Sequence, residues 1–494
     1  MGSPPGYRFA PISEETARLI YRQGEDEVVR YLINLSTKTG TALADLAARI
    51  AVLEAKQSKD SHNSNKPPSS DGPARPPRPN NRPPTNKKPG GQNGHDGNTL
   101  QMSATPDKVV RHTVNKCGHC HNSLAGVVAD YLRRQVFDLP PIKISITEHR
   151  AESKSCPHCG KINHASFPDT VQPGATYGDN FKALALYLQH QHLLPYDRTA
   201  DILRDLTGHR PSPGTLANFQ RSCAQRLSAV EQAIIERLLD APLIHVDETG
   251  VHCMKTLHWL HSLSTTAVTF YGVDAKRGRE AMERIGILPR FTGKVVHDHW
   301  QSYFEYACEH VLCNAHHLRE LLHIAEEFHE RWAARMRHLL LLMKRAVERA
   351  AATGASALSP QQRRRYHRLY DRIITAGRLY HGRLGPPGIK ATGTRGKQKQ
   401  WPGKNLLDRL RQRKAETLAF LKDFSVPFTN NLAERDLRMA KVKEKISGCF
   451  RSVAAAGNFF RIRGYISTAR KQGWDILSAI GAAVRGAPFL PSIS

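Results

Sequence analysis

The sequence predicts a multidomain α/β protein, with a mixed sheet interrupted by a large helical insertion and preceded by a small cysteine-rich module and a helical region. Three observations carry this. The 494 residues exceed what one ordinary core accommodates, and such a length suggests about three domains. Between residues 241 and 300, strand-like apolar runs are followed by a helical run and a further strand, the pattern of a mixed sheet. Four of the nine cysteines form two C-x-x-C pairs, which in a reducing compartment signals metal rather than disulfide.

Charge narrows the function. Lys and Arg number 72 against 44 Asp and Glu, a net charge of +28. Such a surplus favours polyanionic partners, of which nucleic acid is the commonest. No run approaches the roughly 18 to 20 apolar residues of a membrane span. "MGSPPGYRFAPISEE" lacks a charged region followed by an apolar one, so no secretory signal is readable. A cytoplasmic protein associated with the nucleoid, with no membrane partner, is the expectation.

Residues 1–60 predict an N-terminal helix, in which Leu43, Leu46, Ile50 and Leu53 repeat at spacings of three, four and three. That is a short coiled-coil seam or a face packed on the same protein. Residues 61–108 include "HNSNKPPSSDGPARPPRPNNRPPTNKKPGGQNGHDGN", with nine prolines, six Lys or Arg and two Asp. This composition builds no core and predicts a disordered basic linker, either a spacer or a tether touching phosphates. Residues 109–165 hold "CGHC" and "CPHC", bracketing "RRQVFDLP" and "IKISITEH", which alternate like strands. Cys117, Cys120, Cys156 and Cys159 can surround one structural zinc ion tetrahedrally in a zinc ribbon, where bond energy substitutes for a core. The pairs lie further apart than the usual span of about 15 to 20 residues, which an inserted hairpin absorbs; His119, His121 and His158 are alternative ligands. Residues 166–240 read as helices broken at Gly208 to Pro213, consistent with a DNA-binding helix-turn-helix or a plain helical hairpin.

Acids then appear in a basic chain. "LIHVDETG" predicts a strand ending at Asp247 with Gly250 breaking the run, and "GKVVHDHW" a strand ending at Asp298. The first three strands, "LIHVDETG", "LHWLHSLS" and "AVTFYGVDAKRG", suit an antiparallel meander, and "GKVVHDHW" suits parallel pairing. Singly, acids at strand ends are turn formers; on adjacent strands they suggest a site. Glu434 begins a helix in "TNNLAERDLRMAK", where Asn431 three residues earlier also fits a capping box. Three convergent carboxylates suit two hard cations about 3.5 to 4 Å apart, serving the attacking and leaving oxygens of a phosphodiester. The positive surface would hold DNA and the acids would hold the metal.

The ordered motifs "SNKPPSSDG", "CGHC" with "CPHC", "HVDETG", "HDHWQSYF", "CNAHHLRELLH" and "NNLAERDLR" resemble the insertion-sequence sixty-six family of bacterial transposases, from about His62 onward. The resemblance implies a Pro-rich segment, a zinc-binding module, a ribonuclease-H-like catalytic domain with an Asp-Asp-Glu triad, and a short C-terminal segment. Matched residue by residue, the triad is Asp247, Asp298 and Glu434, holding two magnesium or manganese ions. The catalytic core then comprises 241–324 and 426–453, split by the basic helical insertion 325–425 and followed by a C-terminal helical segment, 454–494.

Neighbouring residues compete for roles. Glu248 should face away from Asp247, and Asp436 lies about 200° around the helix from Glu434; Asp274 is the main rival metal ligand. His297 and His299 suit packing or phosphate contact. Cys313 and His316 sit one helical turn apart, but two ligands do not make a site, so they are expected to pack or support. Arg319 and the basic run Arg435, Arg438, Lys441, Lys443, Lys445 and Arg451 are candidates for DNA contact, with Arg438 on the face of Glu434. The activity expected is cleavage at the terminal inverted repeats of double-stranded DNA and strand transfer into target DNA, by at least a dimer, with or without small accessory proteins. The alternatives are a metal-dependent nuclease without strand transfer and a non-catalytic zinc-containing DNA-binding regulator.

Overall fold

A computed structural model of the chain describes residues 12–57, 99–168, 171–385 and 400–492. Most of the basic Pro-rich linker and the Gly-rich segment before Trp401 lie outside the described residues. The chain divides into two compact units, one of Pro76–Pro173 with Ile202–Arg210, the other holding the remainder.

At the N-terminus, α1 (Glu14–Arg22) starts at Ser13, whose hydroxyl accepts the Thr16 N–H, and α2 (Glu25–Gln57) follows. Leu43, Leu46, Ile50 and Leu53 of the seam are all exposed. The expectation that they pack on the same protein is not met.

Residues 99–168, most of the described part of the smaller unit, have little regular structure. β1 (Ser153–Ser155) pairs antiparallel with β2 (Ile162–His164), the two flanking Cys156 to Cys159, and a bridge between Lys116 and Ser123 flanks Cys117 to Cys120. The expected strands "RRQVFDLP" and "IKISITEH" do not form; Val136 and Ile146 are 93% and 82% exposed. Alternation makes a strand only where a second layer covers one face, and no hydrophobic residue in 99–168 is buried.

Along the chain from Gly174, α3 (Asp179–Leu186) runs into a π-helical turn and is followed by α4 (Tyr196–Thr207), α5 (Pro213–Arg226) and α6 (Ser228–Leu239). Ser212 caps α5 by accepting the Thr215 N–H, and Pro213 occupies its first position, where a missing N–H does no harm. The sheet comprises β3 (Leu243–Cys253), β4 (Thr256–Ser264), β5 (Thr269–Asp274), then after α7 (Arg279–Ile285), β6 (Lys294–His297) and β7 (Glu309–Leu312). Its order is β5-β4-β3-β6-β7. The first three strands form the antiparallel meander, and β6 lies parallel to β3 as expected. The parallel strand β7, as short as β6, was not among the expected strands.

Helices α8 (Asn314–Glu327), α9 (Arg331–Ala352), α10 (Pro360–Leu384), α11 (Pro402–Gln412) and α12 (Lys414–Thr417) separate the sheet from α13 (Asn431–Ser447), α14 (Val453–Lys471) and α15 (Ile476–Val484). Three apolar clusters join these layers. Ile244, Val246 and Leu263 pack with α5, α6, α14 and α15; Val296 and Val311 with α8 to α11; Val251, Leu260 and Tyr271 with α13 and α14. Gly464 lets α14 approach β5 closely, since a Cβ there would lie 3.1 Å from the Thr269 carbonyl oxygen. No helix among the described residues is long and apolar enough to cross a membrane.

Candidate active site

Asp247 lies within β3 rather than at its end, and Gly250 continues the strand opposite Trp259. Pairing with β4 carries β3 through to Cys253, whereas pairing with β6 covers only Leu243 to His245. Asp247 therefore sits just past the point where β3 loses its parallel neighbour. Asp298 immediately follows His297, the last residue of that neighbour. The two carboxylates thus emerge at the carboxyl side of adjacent parallel strands, where open α/β sheets commonly place ligands.

The chain after Asp298 turns sharply. His299 adopts φ of 67°, a left-handed conformation uncommon outside glycine, and the Trp300 N–H donates to Asp298 Oδ1 at 3.0 Å. His297 is buried and its Nε2 lies 3.2 Å from His310 Nδ1; His299 faces Glu320 at 3.4 Å. Both histidines are engaged with protein partners.

Glu434 is in the first turn of α13, and the capping box is absent: Asn430 is the N-cap residue and makes no side-chain cap bond. Its amide is used elsewhere, donating to the Val246 carbonyl at 2.7 Å and lying 2.8 Å from His245 Nδ1 through its oxygen. Its backbone N–H donates to Cys313 Sγ at 3.1 Å. Asn430 thereby ties the start of α13 to β3 and to the start of α8. Glu434 Oε1 lies 3.7 Å from Arg319 and 3.9 Å from His316.

Electrostatics connect the three acids. Withdrawal from water raises the Asp247 pKa well above the ordinary carboxylate value, and the charges of Glu248, Asp298 and Glu434 raise it further. Desolvation combined with like charge is a physical signature of a functional site and of a demand for cations. Glu248 is differently placed. Its side chain is 1% exposed and accepts from Arg277 at 2.6 Å and from the Tyr303 hydroxyl. Burial raises its pKa, Asp298 adds to that, and Tyr303 and Arg277 oppose it. Arg277 is itself held 4.2 Å above the Trp300 ring and 4.8 Å above Trp259.

The rivals are occupied. Arg284 binds both Asp274 oxygens, at 2.8 and 2.7 Å, and Lys471 binds Asp436 at 2.8 Å. In the basic run, Arg435, Arg438 and Lys445 are exposed, and so is Lys441, which donates to the Gly250 carbonyl at 2.8 Å. Lys443 turns inward, its ammonium 3.6 Å from the Phe450 ring centre, and leaves that run. Sequence reasoning missed Asn430, Tyr303 and Arg277, which join segments distant in the chain. It also missed that Glu434 approaches Cys313 and His316; the C-x-x-H spacing was the available signal.

In the smaller unit, each C-x-x-C pair forms a tight turn. The His121 N–H donates to the Cys117 carbonyl at 3.0 Å and the Gly160 N–H to that of Cys156 at 2.9 Å. Backbone N–H groups of Cys120 and His119 lower the Cys117 thiol pKa, and those of His158 and Cys159 lower that of Cys156. Each turn presents two cysteine sulfurs on one side, the arrangement of half a zinc site. The two pairs are not gathered together: the group of three or more metal-ligating side chains within 4.8 Å among the described residues is Cys313, His316 and Glu434.

A family model described as "Transposase IS66 family" matches residues 174–458. The chain belongs to the IS66 transposase family. A second model, the "zinc-finger binding domain of transposase IS66", matches residues 115–160, which span all four cysteines of the two pairs. Residues 20–101 match a "Family of unknown function (DUF6444)". No curated protein matches. IS66 membership supports a transposase role, and the zinc-finger match supports structural zinc in a module without a buried apolar core.

Proposed function

We propose that this IS66-family chain is an Asp-Asp-Glu transposase that cleaves phosphodiester bonds at the ends of its element with magnesium or manganese and joins the released 3′-hydroxyl to target DNA. The observation that carries this is the convergence of Asp298 and Glu434 charge on a desolvated Asp247, in a chain of net charge +28. The meander extended by two parallel strands beside β3 supports a ribonuclease-H-like reading of the sheet.

Asp247, Asp298 and Glu434 would hold the ions. Carboxylate donors suit hard cations, and Glu434 Oε1 is buried without a hydrogen-bond partner. Bound divalent ions stabilise charge on the attacking and leaving oxygens of a phosphodiester. Tyr303 and Arg277 keep Glu248 from joining the ligands, and Asn430 positions Glu434 against β3. Arg319, Arg435, Arg438 and Lys441 provide cations for phosphates near the reacting bond. Away from the site, α5 exposes Asn218, Arg221, Gln225 and Arg226, a polar face suited to DNA contact. Joining two element ends requires at least a dimer, and the exposed seam of α2 is a surface for it.

The test uses the full chain with magnesium, a target plasmid and pre-cleaved end DNA whose terminal repeats are read from the DNA flanking the gene. Joined products are expected. Cutting without joining would identify a nuclease, and binding without either reaction a regulator.

A further inference from the structure

Cys313, His316 and Glu434 form a second metal-ligating cluster beside the acids. A sulfur, a ring nitrogen and a carboxylate oxygen lie within 4.8 Å of one another. Cys313 immediately precedes α8 and His316 lies in its first turn, whereas Glu434 comes from the first turn of α13. Cys313 and His316 are buried. His316 Nδ1 and Glu434 Oε1, 3.9 Å apart, are both buried atoms without a hydrogen-bond partner. Two such atoms facing each other are a cost that an ion between them would remove.

The donor chemistry selects the ion. Magnesium takes oxygen ligands and seldom sulfur, whereas a thiolate with an imidazole and a carboxylate suits zinc and similar divalent ions. Tetrahedral zinc, with sulfur at about 2.3 Å and nitrogen or oxygen at about 2.0 to 2.1 Å, keeps one sulfur and its oxygen and nitrogen partners about 3.3 to 3.6 Å apart. The three donors therefore need to close by up to about 1.3 Å, within reach of side-chain rotation. The Asn430 N–H on the sulfur is the kind of outer contact that steadies a metal thiolate. Arg319 now shares the Glu434 carboxylate and would yield part of it to the ion.

We propose that Cys313, His316 and Glu434 bind a borderline-soft divalent cation, zinc foremost, with a fourth position open, and that its occupancy withdraws Glu434 from Asp247 and Asp298. The binding site stands on its own geometry; the withdrawal rests on the assignment of Glu434 as a magnesium ligand. Zinc and magnesium would then oppose one another, each weakening the other by the same factor.

Zinc is counted per full-length chain after equilibration in a zinc buffer. The wild type should hold about two ions, one in the ribbon and one here, and Cys313→Ser and His316→Gln about one each. Far-UV circular dichroism confirms that each variant is folded; because Cys313 is fully buried, His316→Gln decides if Cys313→Ser misfolds. Wild-type zinc content in a folded His316→Gln chain overturns the site. For the coupling, cobalt is titrated into a full-length Cys117→Ser/Cys120→Ser chain and its thiolate charge-transfer band is followed. Millimolar magnesium should weaken cobalt binding several-fold, and this effect should vanish on adding Asp298→Asn. Cobalt affinity indifferent to magnesium overturns the withdrawal. Neither measurement uses cleavage, so failure of the transposase reading alone would leave the zinc count intact.

Discussion

Asp247 is the residue at which folding and the proposed catalysis oppose each other. Its folded pKa stands above its unfolded one, so its contribution to stability is fully present below the unfolded value and is lost as pH rises through the folded value. At neutral pH the ion-free chain carries that penalty, and a divalent ion bound as proposed would relieve it. Manganese should therefore raise the melting temperature at about pH 8 and do so less at about pH 5.5, where protons compete for the carboxylate; equal shifts at both would contradict this. Tyr303→Phe removes one donor from a carboxylate whose side chain is 1% exposed. A loss of about 1 to 3 kcal/mol in denaturant unfolding is expected. Asp298 was legible as an acid just past a strand, whereas Asp247, also singled out by its apolar run, lies inside β3 rather than at its end. The partners of Glu248 were not legible, since Arg277 and Tyr303 come from 29 and 55 positions along the chain.

Among the elements, the hinge of the site is the start of α13. Asn430 spends its side chain on β3, so Asn430→Ala should lose two buried hydrogen bonds, about 2 to 3 kcal/mol. Turnover should fall further than Asn430→Asp, which keeps an oxygen for His245, and the two are compared by unfolding and by end-cleavage rate. Unchanged stability in Asn430→Ala would show that α13 is held by packing alone. The capping box was a reasonable local inference from Asn431 and Glu434; a tertiary bond one residue earlier overrode it. Likewise Gly250 suggested a strand end, but hydrogen bonding to β4 across Gly250 and Trp259 carries the strand past it. The meander was legible from its longer apolar runs and β6 because its apolar pair leads into Asp298, whereas β7, equally short, leads into no acid.

For the whole molecule, the two units are stabilised differently. The larger has three apolar clusters, whereas residues 99–168 bury no hydrophobic side chain, which leaves zinc as the main support of that module. Cys120→Ser with Cys159→Ser should abolish hydrogen-exchange protection in the ribbon while leaving the amides of β3 to β5 protected. Loss of protection throughout would show that the units fold as one. The cysteine spacing made the module legible, and the missing hairpin was misread because exposed alternation has no layer to pack on. The central claim is that Asp247, Asp298 and Glu434 perform one reaction. The direct measurement is magnesium-dependent cleavage of element-end DNA by folded Asp247→Asn, Asp298→Asn and Glu434→Gln chains, beside Asp274→Asn. Each of the three should lose at least about 100-fold in rate, since even outer partners of a metal site cost 10 to 100-fold, and Asp274→Asn should keep its activity. Full cleavage by any one of the three, or its loss in Asp274→Asn alone, would contradict the assignment.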